Sequence, residues 1–284
     1  MSYCIRYQNI FKTFKGRKEN VYALKNINLN INTGDFTIIS GDNGSGKSTL
    51  LKIMMGLLIP DKGTVEVLGI DMLKNWKKAS PRIGIVLSND RSLYWKLTAR
   101  ENLDVFGNLY GIKSKKLKVR ISKLLEQVGL LEFQNQLVEN YSTGMTRKLM
   151  LCKAIIHNPD ILFADEILNG LDSKATLEII ELLKKLNKSG MTIVMVSHIL
   201  HDIPDYCKII FLKNGEIISK STLSDLNIQK AITIKATLSD GTKFKETIPQ
   251  ENLSYRILSL TKNRASDIKI EQDNIYDVTR RTLS

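Results

Sequence analysis

GDNGSGKSTL, residues 41–50, places three glycines and a lysine directly after an apolar run, FTIIS at 36–40. That much bare backbone beside one ammonium suits a polyphosphate. Glycine tolerates positive φ and lets backbone N–H groups approach a ligand closely, and those groups cradle anionic oxygens. Lys47 then reaches the terminal phosphates and the hydroxyl of Ser48 can ligate Mg²⁺. The helix expected to follow, KSTLLKIMMGLL at 47–58, aims the positive end of its dipole at the same anion. A strand before the loop and an amphipathic helix after it are the context that separates this motif from a glycine-rich surface turn.

Working outward, TVEVLG (64–69), IGIVLS (83–88), DILFADE (160–166), TIVMVSH (192–198) and KIIFLKNG (208–215) read with FTIIS as short strands rich in β-branched residues. Helical patterns such as SKATLEIIELLKKLNKSG (173–190) separate many of them, which predicts an α/β body with a largely parallel sheet. CIRYQNI (4–10) and INLNIN (27–32) read as extra edge strands. From about residue 89 to 158 the strands stop, and ARENLDVFGNLYG, KVRISKLLEQVGLL and TGMTRKLMLCKAIIHN predict a helical insertion. After about residue 228 the pattern changes. AITIKATL, a DG turn and KFKETI predict a hairpin. A helix-like ENLSYRILSLTKN, a strand-like DIKIE and an amphipathic IYDVTRRTL (275–283) follow. The expected division is residues 1–228 as one domain and 229–284 as a small α+β appendage.

The chain of 284 residues is long enough to bury a full core, and no apolar run approaches the roughly 20 residues of a membrane span. The first residues lack the apolar core of a secretory signal. Cys4, Cys152 and Cys207 are widely spaced, fit no metal pattern and read as reduced cytoplasmic thiols. A net charge of +13 points to an anionic neighbour, whether nucleic acid, an anionic membrane surface or nucleotide. The densest basic run, KSKKLKVRISK at 113–123, reads equally well as a solvated helix face.

Two further strands end in chemistry. ILFADE delivers Asp165, placed to hold Mg²⁺ beside the phosphates, and Glu166, placed to take a proton from an attacking water. TIVMVSH delivers His198 to the same strand end, where a terminal-phosphate contact is expected. YSTGM at 141–145 remains open on its residues alone. Ser142 and Thr143 make good helix caps, and the same geometry offers N–H groups and hydroxyls to an anion.

Together these segments resemble the ATP-binding cassette family. GDNGSGKS resembles its phosphate loop, ILFADE its second nucleotide motif and YSTGM its signature. NGLD (169–172) resembles the loop after the acids, and His198 stands at the switch histidine. The resemblance covers residues 1 to about 225 and implies a P-loop NTPase fold. It implies that Gly41, Asp42, Asn43, Gly44, Ser45, Gly46, Lys47, Ser48 and Thr49 hold ATP, with Mg²⁺ on Ser48 and Asp165. It also implies a nucleotide-sandwich dimer with a second ABC subunit, the same chain or another. There Ser142, Thr143, Gly144 and Met145 of the signature would close the partner's ATP, and Asp172 is counted among the nucleotide-binding residues. Phe14 stands where the family stacks an aromatic on adenine. RSLYWKLTARENL (91–103) and the C-terminal appendage resemble exporter cassettes of the drug, lipid and antimicrobial-peptide type. That implies integral membrane permease subunits as partners and a peripheral place on the cytoplasmic face of the cell membrane, against its anionic inner surface. No nucleic acid partner is expected, since translation-type relatives carry two cassettes and repair relatives carry long heptad coils. A small-molecule kinase would have no use for YSTGM. Three departures from the family pattern stand out: Ser88 in place of Gln, Ile167 and Leu168 in place of Pro-Thr after the acids, and Thr143 and Met145 within the signature.

Overall fold

The computed structural model describes residues 3–16, 19–87, 92–200, 202–224, 231–238, 241–249, 252–262 and 265–272. Ser88, Asn89 and Asp90 lie outside them, as does the expected amphipathic end at 275–283. FTIIS forms β3 (Phe36–Gly41), and every one of its six residues is buried. β7 (Ile161–Asp165) and β8 (Thr192–Val196) are equally buried throughout. Strands covered on both faces read as unbroken apolar runs, which is the mark of a parallel sheet. β8 pairs in parallel with both β3 and β7. β9 (Lys208–Lys213) extends the sheet in parallel beyond β3, and β6 (Ile83–Val86) beyond β7. β10 (Glu216–Thr222) completes the order β10-β9-β3-β8-β7-β6. It follows β9 through a two-residue turn in which Asn214 and Gly215 both take positive φ, the turn that matches strand twist.

A second sheet is antiparallel, in the order β2-β1-β4-β5, from β1 (Tyr3–Phe14), β2 (Val21–Asn32), β4 (Lys62–Val67) and β5 (Ile70–Asp71). TVEVLG thus leaves the parallel body where its sequence grouped it. Its burial is mixed, with only Val65 and Val67 fully covered, as befits a strand with one face toward solvent. The helix after the glycine loop, α1 (Lys47–Met54), is shorter than its apolar run. Gly56 takes φ of 70° and closes it: the Leu57 N–H donates to Lys52 O at 2.9 Å and the Gly56 N–H to Ile53 O at 3.1 Å, the paired bonds of a Schellman end. One helix has no counterpart in the sequence reading. In α2 (Met72–Ala79) the Asp71 carboxylate accepts from the Leu73 and Lys74 N–H groups, a strong cap before a short polar helix whose backbone departs from helical geometry at Asn75.

Three helices fill the segment between β6 and β7: α3 (Ala99–Leu109), α4 (Ser114–Gln127) and α5 (Thr143–Ile155). Thr98 and Glu101 form a reciprocal capping box at the start of α3. Arg120 of α4 donates to the carbonyls of Ile155 and Ile156, satisfying the open end of α5. α6 (Ser173–Lys188) joins β7 to β8. The three cysteines are free and buried, and burial pushes the Cys152 thiol up to about 12, which keeps it unreactive.

The chain divides into two compact units, residues 1–220 and 221–284. The second holds β11 (Ala231–Thr237), β12 (Lys243–Pro249), α7 (Leu253–Lys262) and β13 (Ser266–Gln272), with sheet order β12-β11-β13, all antiparallel. Its core centres on Ile234, Ile248 and Leu260. In the first unit one apolar cluster joins the antiparallel sheet to α1 and to the parallel strands. Within it the Tyr7 hydroxyl donates to Leu50 O of α1 at 3.1 Å. Tyr7→Phe deletes that bond while keeping the ring, so it should lower unfolding stability by about 1 kcal/mol. Urea titration should show a lower midpoint at unchanged slope.

Candidate active site

The parallel sheet gathers the candidate residues at one edge. Gly41 ends β3, Asp165 ends β7, and His198 follows the end of β8, with Ile39 and Asp165 both opposite Val196. Ligands of open α/β sheets bind beyond these carboxyl ends. Gly41, Gly44 and Gly46 all take positive φ, at 147°, 80° and 104°. At two of them no side chain fits: a Cβ on Gly41 would lie 2.0 Å from Leu212 O, and one on Gly46 would lie 2.3 Å from Ala23 O. The loop is held from outside by the β9–β10 turn, where the Gly215 N–H donates to Ser45 O at 3.0 Å and Gly215 O accepts from the Lys25 N–H at 2.8 Å.

Lys47 is buried, and its ammonium donates to Gly41 O at 2.8 Å and to Asp42 O at 2.7 Å. Burial lowers its pKa, opposed by the charges of Glu166, Asp42 and Asp165. The Ser48 hydroxyl donates to Asp165 Oδ1 at 3.4 Å. Burial first and the neighbouring Glu166 second raise the Asp165 pKa, while Ser48 and the lysines oppose the rise. Ser45 Oγ is buried without a hydrogen-bond partner inside the loop. Asp42, Asn43 and Gly44 at the tip are exposed, and Thr49 is half-buried one place beyond Ser48.

Glu166 has φ of 50°, a sparsely populated setting for a residue with a side chain, and its N–H donates to Val196 O at 3.0 Å. Asn169 Nδ2 donates to Glu166 Oε2 at 2.9 Å, and His198 Nε2 lies 4.0 Å from Oε1. Burial, then the Lys47 charge, lowers the His198 pKa, which Glu166 and Asp42 only partly offset. Ile167 and Leu168, which replace the family's Pro-Thr, are both buried.

Ser142, Thr143, Gly144, Met145 and Asp172 form a second group, lining a cavity of about 920 Å³ with Gly170, Leu171 and Ala175. Of the two readings of YSTGM, the cap is the one the geometry contains. The Ser142 hydroxyl accepts from the Met145 N–H and caps α5, while the segment faces open space. Asp172 likewise caps α6 by accepting from the Ala175 N–H at 2.7 Å. A Cβ on Gly144 would lie 3.1 Å from the Ala175 Cβ, so this glycine lets the two helix starts approach. Phe14 is 41% exposed at the end of β1, opposite Val21, two residues from the Ala23 carbonyl that backs Gly46. Its ring packs under Lys12, with Nζ 5.6 Å from the centroid.

Sequence reasoning missed Ala23, Gly215 and Asn169. An Asn-Gly pair between two strands marks Gly215 as a turn, but only the fold presses that turn onto the loop. Asn169 stood in the quoted NGLD without a role. Among the described residues no cluster of three or more His, Cys, Asp or Glu could hold a metal by itself. Ser48 and Asp165 therefore fit Mg²⁺ only as part of a set completed by phosphate and water oxygens.

Residues 24–169 match the family described as ABC transporter. The chain is 34% identical over 216 residues to the ABC transporter ATP-binding protein NatA of Bacillus subtilis (strain 168), covering 76% of this chain and 88% of that one. It is 35% identical to the linearmycin resistance ATP-binding protein LnrL of the same organism (78% and 70%). It is 32% identical to the methionine import ATP-binding protein MetN 2 of Enterococcus faecalis (78% and 66%). Among solved structures, the ATP-binding cassette MJ0796 in a dimeric, post-hydrolysis state with ADP and Pi superposes with a TM-score of 0.70. That match is at 33% identity, over 77% of this chain and 98% of that one.

Because its folded pKa is depressed, His198 contributes stability that is present above the unfolded value near 6.5 and lost as pH falls toward the folded value. Wild type should therefore lose more stability than His198→Gln between neutral pH and about one unit below 6.5. Urea unfolding of both chains at the two pH values measures the difference.

Proposed function

The chain belongs to the ABC transporter family as an ATP-binding ATPase cassette with the P-loop NTPase fold, and from that premise we propose that it powers an exporter whose membrane-spanning permease subunits are separate chains. One observation carries the reading: β3, β7 and β8 bring Lys47, Ser48, Asp165, Glu166 and His198 to a single sheet edge around a glycine-walled loop. Residues 1–228 form the ATP-binding domain and 229–284 a regulatory or dimer-supporting domain. The cassette sits on the cytoplasmic face of the cell membrane against its anionic surface; among the described residues no helix is long and apolar enough to cross a membrane. Export rather than import is supported by the RSLYWKLTARENL segment, by the C-terminal unit and by the likeness to a resistance protein. The likeness to an import protein, at 32% identity against 35% for the resistance protein, makes transport assays the arbiter of direction.

In this reading Lys47 leaves the carbonyls of Gly41 and Asp42 for the terminal phosphates of ATP. Ser48 and Asp165 hold Mg²⁺, which when bound offsets the phosphate charge. Glu166, fixed by Asn169, accepts the proton of a water attacking the γ-phosphorus as the bond to ADP breaks. His198, neutral through burial, donates an N–H to a γ-phosphate oxygen. Ser142 to Met145, with Asp172, close the ATP of a second cassette in a sandwich dimer. The dimeric, ADP-bound relative supports that arrangement. Phe14 stacks on the adenine.

Glu166→Gln keeps the side chain's reach but not its basicity, so turnover should fall about 10²–10⁴-fold with ATP binding retained. The variant should elute as an ATP-bound dimer in size-exclusion chromatography with Mg·ATP, whereas Lys47→Ala should stay monomeric and empty. Near-normal turnover in Glu166→Gln would place the base elsewhere. Truncation after Leu226 should leave ATP affinity within a few-fold, since every phosphate-facing residue precedes it. Loss of binding in a folded truncation would move the domain boundary.

A further inference from the structure

The end of β1 is held in a way that strand pairing alone does not supply. Its pairing with β4 stops at Phe11, opposite Lys62. Past that point one residue takes up the same edge: Asp61, set directly after the buried Pro60 in the connection from α1 to β4. The Asp61 N–H donates to Phe11 O at 2.8 Å. Its carboxylate accepts from the Thr13 N–H at 2.6 Å through Oδ2 and from the Lys12 ammonium at 2.8 Å through Oδ1. In an antiparallel ladder the carbonyl of one residue and the N–H two residues on face the same neighbour, so here a side chain stands in for the strand that has ended. On the other edge, the pairing with β2 shifts register between Ile10 and Lys12 and again between Lys12 and Thr13, just before Phe14 meets Val21. Irregularities of this kind re-aim a side chain. Lys12, whose side chain is only 15% exposed, sits over the Phe14 ring within cation–π range.

Asp61 is exposed, and an exposed ion pair contributes little to stability, so the value of these bonds lies in where they hold the chain. The Lys12 ammonium first, and the Thr13 N–H second, keep the Asp61 carboxyl below the usual carboxylate range, so it stays ionised and engages both. We propose that Asp61 is a positioning residue for the nucleotide base: acting through Thr13 and Lys12, it presets the Phe14 ring for stacking on adenine. A ring ordered before binding spares the complex the entropy of ordering it, an effect of about two- to tenfold in affinity. The phosphate loop is braced elsewhere, by Leu212, Ala23 and Gly215, so base and phosphates have separable supports. The inference rests on Phe14 as the base-stacking ring and adds the residue that aims it.

The test is calorimetric titration of Mg·ATP and, as the base-free probe, Mg·tripolyphosphate into the full chain. Asp61→Ala should bind Mg·ATP about two- to tenfold more weakly than wild type and tripolyphosphate equally well. Phe14→Ala should bind Mg·ATP about five- to 150-fold more weakly, again with tripolyphosphate unchanged. In the double variant the two losses should not multiply, because Asp61 acts through the ring. Lys12→Met keeps Thr13 on the carboxylate and removes the ammonium from the ring. It should show the same selective loss at smaller size, and an unselective loss there would count equally against the proposal. Asp61→Ala matching wild type for ATP, weakening both ligands alike, or multiplying with Phe14→Ala would overturn the proposal and leave the stacking role of Phe14 standing. Phe14→Ala binding ATP as tightly as wild type would overturn that stacking role, and the proposal with it.

Discussion

Backbone pressed against backbone at two glycines sets everything else in the first unit. Gly41 sits against the Leu212 carbonyl of β9 and Gly46 against the Ala23 carbonyl of β2, each at a distance that a methyl group could not share. Those contacts fix the path from β3 into α1, and with it the direction of the helix N-terminus and of Lys47. They also draw the antiparallel sheet and the β9–β10 turn onto the loop, since Gly215 bonds both Ser45 and Lys25. The loop is therefore a junction of two sheets rather than a flexible lid, and its amides are preorganised for an anion.

The charged groups at the junction are held against their preference for water. Burial lowers the pKa of Lys47 and His198 and raises that of Asp165. Each charge leans on its neighbours, as the ammonium does on two carbonyls and as Asp165 does on Ser48. Burial also keeps His198 a neutral hydrogen-bond donor, while the left-handed backbone at Glu166 and the Asn169 amide aim its carboxylate. Strain of this kind persists where surrounding structure over-determines it.

Much of this was legible in the sequence because it is local. The apolar runs FTIIS, ILFADE and TIVMVSH, each ending in polar residues, announced parallel strands with chemistry at one edge, and the glycine spacing announced the loop. What escaped was set by tertiary contact. TVEVLG reads like the other strands, and only its mixed burial shows that it joins the antiparallel sheet. The run KSTLLKIMMGLL looks like one long helix until Gly56 turns left-handed beneath Trp76, where a Cβ would lie 2.7 Å from the ring. Helix α2 is short and polar, so its signal was Asp71 as a cap and little else. Ala23 and Gly215 act through backbone atoms at long sequence separation, which no side-chain pattern reports. In the second unit AITIKATL, KFKETI and DIKIE read as strands, but that β13 pairs on the far side of β11 is set by contacts at longer sequence separation.

The central claim is that the loop binds nucleotide because its glycine backbone is wedged between two carbonyls. Calorimetric titration of Mg·ATP into Gly46→Ala and Gly44→Ala tests it, with circular dichroism confirming that both chains are folded. A Cβ at Gly44 meets nothing within 4 Å, so that variant carries only the left-handed backbone penalty of about 1–2 kcal/mol. Gly46→Ala must also push the loop off Ala23, and the account predicts that it loses ATP binding by far more than Gly44→Ala does. A folded Gly46→Ala chain that binds ATP as tightly as wild type would contradict it.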